Sequence, residues 1–317
     1  MPMRPVIEFT DRRPGKRQTP ICGVRALGNT KHNLKQRTNA PGHFRESDDH
    51  PMKTLSQFAL GLTVLAAAGT AGAAAVTIQF DNSIFAPLNG YDAVTIKFPS
   101  VPGAAVANLT ENVAAGRLRG RASNLDGVAP GVFVDNVNSV FMYCYDLYDS
   151  VSNGQQVRYQ INFDGESART LDFLGAVNSV LNDQRGQSGS SYDRFAWVHP
   201  TDIYQSAAIQ LGIWESRFDT SDTWSLIDGQ FQAWNLDGSV GAANAGDGKT
   251  NWYVEQFFAR RGSAGSLDGQ FAMTLTATGV QDMITGDPPG SVPEPGSLAL
   301  AGLALAGLIA ARRSKAG

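Results

Sequence analysis

Two side chains in the middle of the chain have the chemistry to react with each other. Cys144 stands in Met142-Tyr143-Cys144-Tyr145-Asp146, a segment of strand composition flanked by aromatics. Gln210 follows 66 residues later (210 − 144), in the helix-like run Ala207-Ala208-Ile209-Gln210-Leu211-Gly212-Ile213-Trp214-Glu215. A thiolate held against a side-chain amide can displace ammonia and leave an internal thioester. Proximity drives the step, since well-oriented intramolecular pairs reach effective molarities of about 10⁵ M or more. Exclusion of solvent then protects the product from water. An amine on a target surface can later attack the acyl carbon, expel the cysteine and become attached through Gln210, once and without turnover. The same residues also have a plain packing reading. Cysteine is often a buried small hydrophobe, Gln210 could bond a backbone group, and Trp214 could be core.

Other chemistry is scarce. His199 is the one histidine outside residues 1–51, so a metal site built from several imidazoles is excluded. Trp197-Val198-His199-Pro200 reads as packing or capping at a helix entrance. No nucleophile elbow, phosphate-binding loop or dinucleotide fingerprint occurs in a supporting context. Asp135-Asn136-Val137-Asn138 and Asn244-Ala245-Gly246-Asp247-Gly248 lack the spacing of a calcium loop and read as surface turns. Residues 76–291 carry 12 Lys/Arg and 23 Asp/Glu, a net charge of −11 (12 − 23). Nothing there would neutralise phosphates, so nucleic acid is not an expected partner. Two carboxylates among 23 could always form a glycosidase pair, but the sequence selects none. The expectation is a non-enzyme with no cofactor and no metal.

Strands and helices must position the Cys–Gln pair. Val76–Phe80, Ala93–Phe98, Val132–Val134, Val140–Cys144 and Val157–Phe163 have strand composition with partial alternation, and Gln270–Ala277 alternates cleanly as the expected last strand. Thr170–Asn182 places Leu171, Leu174, Val177, Val180 and Leu181 near one helical face. Thr201–Arg217 does the same with Ile203, Ala207, Gln210, Leu211 and Trp214, and Thr201 is the candidate N-cap. The pentapeptide Ile227-Asp-Gly-Gln-Phe231 recurs as Leu267-Asp-Gly-Gln-Phe271, and Asp-Gly in each points to a tight turn. The predicted class is α+β: a β-sandwich or barrel-like ectodomain, a small helical insertion carrying Gln-x-x-Ile-Trp, and a short hydrophobic helix at the C-terminus.

The ends of the chain speak of export. Residues 1–51 hold ten Lys/Arg against five Asp/Glu and show no apolar periodicity, which suits a disordered leader or a mis-assigned start. Met52-Lys53 then opens a signal peptide, 52–75, with the apolar run Phe58–Ala68 and a cleavage site at Ala71-x-Ala73 or Ala73-x-Ala75. The ectodomain spans 76–287, and with Cys22 removed Cys144 has no cysteine of its own chain to pair with. A tail, 288–317, carries Val292-Pro293-Glu294-Pro295, an apolar stretch from Leu298 to Ala311, and Arg312-Arg313-Ser314-Lys315. Fourteen residues at ~1.5 Å each span roughly 21 Å, short of a ~30 Å hydrocarbon core. The stretch therefore reads as a processed sorting tail whose basic tip stays cytoplasmic.

Two resemblances follow from these residues. The tail resembles the PEP-CTERM sorting signal of Gram-negative bacteria. That resemblance implies recognition by an exosortase-type membrane protease near Val292–Pro295, membrane insertion of the tail before processing, and a final place in the cell envelope, on the cell surface or in an extracellular matrix. Residues 140–216 resemble the thioester domains of bacterial surface adhesins, whose helix motif has the form Thr-Gln-x-Ala-Ile-Trp. Here Tyr143-Cys144 matches the Tyr-Cys strand, Gln210 the glutamine and Ile213-Trp214 the Ile-Trp; Ile209 and Gly212 depart from Thr and Ala. The resemblance implies covalent attachment to a surface amine through Cys144 and Gln210. The competing function is non-covalent, as a matrix structural or polysaccharide-binding protein using aromatics among Trp224, Phe231, Trp234, Trp252 and Tyr253.

Overall fold

Alternating apolar residues set the frame. A computed structural model describes residues 74–288, apart from 86–87, 89, 103 and 236–247. Six strands close into an antiparallel barrel in the order β1-β4-β5-β9-β8-β6: β1 (Ala75–Phe80), β4 (Leu118–Asp126), β5 (Val140–Cys144), β6 (Gln156–Asn162), β8 (Ala272–Ala277) and β9 (Val280–Gly286). Closure leaves the barrel without an edge to protect. Val76, Ile78 and Phe80 of β1 are buried with Met142 of β5 and Tyr159 of β6 in one apolar cluster.

A second sheet has the order β3-β2-β7, with β2 (Asp92–Pro99), β3 (Asn108–Ala115) and β7 (Gln232–Asn235). In β2, Asp92, Val94, Ile96 and Phe98 are buried while the residues between them are only partly so, the period of a strand covered on one face. Among the described residues three α-helices lie between β6 and β8 in sequence: α1 (Ala168–Arg185), α2 (Ile203–Phe218) and α3 (Gly248–Arg260). α2 packs against α1, α3, β2 and β3. All twelve of its residues from Gln205 to Ser216 are buried, as expected of a helix covered all round. α1 begins at Ser167, whose hydroxyl accepts from Thr170 N–H, and ends at Gly186 in the left-handed region (φ 65°).

The expected mixed class holds, and its sheet is a closed barrel rather than a sandwich. The helical part is not a small insertion; it is a layer that encloses α2. Val132–Val134 is not a strand, because Pro130 opens a 3-10 turn over Pro130–Val132. Among the described residues the last strand is β9, not the segment ending at Ala277, and residues 269–271 form a 3-10 turn ahead of β8. The cap of α2 is Asp202, whose carboxylate accepts from Tyr204 and Gln205 N–H; Thr201 instead donates its N–H and hydroxyl to Gln205 Oε1. Ahead of the expected boundary at 76, Ala75 pairs in β1 and Ala74 O accepts from Ile161 N–H. Among the described residues no helix is long and apolar enough to cross a membrane, and the expected C-terminal hydrophobic helix lies outside them.

Candidate functional site

The site is built where a ladder runs out. β5 pairs with β9 along one side, Cys144 opposite Met283, and with β4 along the other, Met142 opposite Leu118. Leu118 is where β4 begins, and the N–H of the preceding Arg117 turns to Ser206 Oγ at 2.6 Å. Cys144 therefore has no strand residue opposite it on that side. Gln210 takes that place. Cys144 N–H donates to Gln210 Oε1 at 2.9 Å, and Gln210 Nε2 donates to Cys144 O at 2.8 Å. The side-chain amide acts as the missing peptide group of the next rung. Both residues are wholly inaccessible to solvent, so these two bonds satisfy backbone groups that water cannot reach.

The strand is pinned just beyond the pair. Tyr145 N–H donates to Asp282 O at 2.8 Å. The Asp146 carboxylate accepts from Tyr148 N–H, Asp149 N–H, Asp282 N–H and Gln281 Nε2. Burial pushes the Asp146 carboxyl up to about 6 despite those bonds. Tyr143, on the opposite face of the strand from Cys144, is fully buried, stacks on Trp197 with ring centroids 6.0 Å apart and donates to Trp197 O at 3.2 Å. Burial raises its hydroxyl well above the usual phenol range.

On the helix side, Ile213 and Trp214 are fully buried, with Trp214 beside Phe231 at 6.4 Å. Gly212 has a packing reason. A Cβ there would sit 2.0 Å from Phe173 Cζ, so the α1–α2 crossing leaves no room for the alanine of the adhesin motif. Ile209, in place of threonine, is fully buried and brings no hydroxyl to the amide. Glu215 follows directly. Its side chain is fully buried, Oε1 accepts from Arg169 at 3.4 Å and Ser225 N–H at 3.3 Å, and burial pushes its carboxyl up to about 8. A charge inside an otherwise apolar helix run was the sequence signal for this residue.

His199 does pack at a helix entrance, and it is held as a cation. Its Nε2 lies 2.8 Å from Asp135 and its Nδ1 3.7 Å from Asp193, and the hydrogen bonds to Asp135 and then Asp193 push the imidazole up to about 9. Asp135 thereby ties the loop after the Pro130–Val132 turn to the segment before α2. Within that loop Asn136 adopts φ 73° and its side chain accepts from Asn138 N–H, a turn as expected. The paired pentapeptides each lead into a strand. Gly229 has φ 99° before β7, and Asp268 caps the 3-10 turn before β8. Among the described residues no three or more His, Cys, Asp or Glu side chains gather in a group that could hold a metal ion.

Cys144 is disulfide-bonded in this chain. The only other cysteine of the sequence, Cys22, lies outside the described residues, as do Val292, Pro293, Glu294, Pro295, Arg312 and Arg313. Comparison with known proteins bears on the tail. Residues 291–314 match the PEP-CTERM protein-sorting motif, which supports an exported protein processed at the membrane by an exosortase-type enzyme. No curated protein and no solved structure matches the chain.

Proposed function

We propose that the exported domain is a surface-attachment module whose reactive centre is Cys144 with Gln210. One observation carries this reading: the Gln210 amide is bonded to both backbone groups of Cys144 in a site closed to water. The amide carbon is thus held beside the residue whose sulfur would attack it. In the attack, the Cys144 Sγ–Gln210 Cδ bond forms and the Cδ–Nε2 bond breaks. The thiol proton leaves with Nε2 as ammonia. Loss of Nε2 removes the donor to the buried Cys144 O, a cost of about 1–3 kcal/mol, against the roughly 7–11 kcal/mol that preorganisation can supply. An incoming amine then bonds to Cδ, the Cδ–Sγ bond breaks, and the sulfur takes back a proton.

The disulfide and the thioester compete for one sulfur. The thioester needs that sulfur, and in our reading cleavage ahead of Ala74 separates the exported chain from Cys22. The thioester is accordingly a property of the processed chain. Because the Gln210 acyl group ends as a stable amide while the cysteine leaves as a thiol, each chain attaches once and the reaction is not turnover.

Intact mass of the processed, exported protein tests the reading. The expected mass is one ammonia below that of the sequence, with the deficit abolished by Cys144→Ala and by Gln210→Ala. A processed protein of full mass with a titratable thiol rejects the thioester.

A further inference from the structure

We infer that an open cleft between α1 and α3 is a binding site for a neutral carbohydrate chain. The inference is independent of the thioester, and no residue of one site belongs to the other. The cleft measures ≈ 550 Å³. From α3 it is lined by Trp252, Gln256 and Arg260, spaced four residues apart on one helical face, and from α1 by Asp183 and Gln184.

Trp252 is the reason to assign a ligand. It is 49% exposed, whereas Trp197 and Trp214 are fully buried. Large aromatic surface left in water has no folding benefit, and inside a concave site it is a platform. This platform is fixed. Tyr253 packs edge-on to the indole with centroids 4.9 Å apart, and Tyr253 stacks on Phe257 at 6.0 Å. The Tyr253 hydroxyl is in turn tied to Gln205 Nε2 at 3.2 Å and Asp202 Oδ2 at 3.4 Å.

The surrounding groups select the ligand class. Asp183 and Arg260 form an ion pair across the cleft, so the two lining charges cancel. Planar carboxylate, guanidinium and amide groups can each engage two neighbouring hydroxyls. A pyranose offers this set of partners: a face of C–H groups for the indole and equatorial hydroxyl pairs at its rim. A polyanion does not fit, since Arg260, the one cation of the lining among the described residues, is already paired and residues 76–291 carry a net charge of −11 (12 − 23).

The test uses the exported protein carrying Cys144→Ala, so that its outcome does not depend on the reactive pair. Neutral hexasaccharides built from glucose, mannose, galactose or N-acetylglucosamine are titrated while indole fluorescence is followed, with a sulfated hexasaccharide as the charged control. At least one neutral probe is expected to bind with Kd in the range of about 0.1–1 mM. Trp252→Ala should weaken it at least tenfold, Trp252→Phe should retain part of it, and Gln256→Ala should weaken it severalfold, all with unchanged thermal midpoints. Failure of every neutral probe to bind at about 10 mM overturns the inference. So does binding that ignores Trp252→Ala, or preference for the sulfated probe.

Discussion

Replacing Gln210 by methionine in a Cys144→Ala background isolates the one job the structure assigns to the amide whatever the sulfur does. Methionine nearly matches glutamine in volume, and volume-conserving swaps in cores usually cost less than about 1.5 kcal/mol. It offers neither partner of the doubled bond, so the N–H and C=O of residue 144 are left without water or protein. Each orphaned buried group costs about 1–3 kcal/mol, giving roughly 2–6 kcal/mol for the pair. With a urea m-value of roughly 2–3 kcal/mol/M for a domain of this size, the midpoint should fall by about 0.7–3 M at constant slope. The assay is equilibrium urea unfolding of the exported protein, followed by tryptophan fluorescence. A Gln210→Met variant within about 0.5 kcal/mol of its parent would refute the claim that the amide completes the β5 ladder.

Further outcomes follow from other contacts. His199 has a folded pKa of about 9 against 6.5 unfolded, so its contribution is complete below about pH 6.5 and is lost as pH rises through 9. The imidazole is partly exposed, which discounts the effect to about 1–2 kcal/mol. Thermal midpoints of wild type and His199→Gln should therefore differ at pH 6 and converge near pH 10, and a constant gap would contradict the ion pair. Glu215 titrates in the same direction at lower pH, which is why the difference between the two proteins is the measured quantity. Gly212→Ala should cost about 1–3 kcal/mol or more through its clash with Phe173, and Phe173→Leu should restore part of it in the double variant; a neutral Gly212→Ala would show that α1 and α2 do not cross there. N-terminal sequencing of the exported protein should begin at Ala74, because a cut after Ala73 spares the bond from Ile161 N–H to Ala74 O, whereas a cut after Ala75 removes it. A mature protein beginning at Val76 would contradict this.

Much of the frame could be read from residue order. β1, β2, β5 and β6 announce themselves through β-branched and aromatic residues at alternate positions, and α1 and α2 through apolar spacing. β3 and β4 escaped because Asn108, Thr110, Asn112, Arg121, Ser123 and Asn124 are polar and exposed, so the apolar alternation covers only part of each strand. α3 escaped because Phe257 and Phe258 have strand composition until Phe173 of α1 gives them a surface to cover. The two halves of the candidate site were legible separately. Their meeting was not, since a contact spanning 66 residues depends on β4 ending at Leu118 and leaving a rung for Gln210.

Amine capture tests the central claim most directly. The processed protein is incubated with methylamine, digested and mapped by mass spectrometry. The account predicts one methylamide, on Gln210 alone, with one thiol appearing at Cys144 and no incorporation in the Cys144→Ala variant. An unmodified Gln210 in protein that already carries a thiol at Cys144 would contradict it.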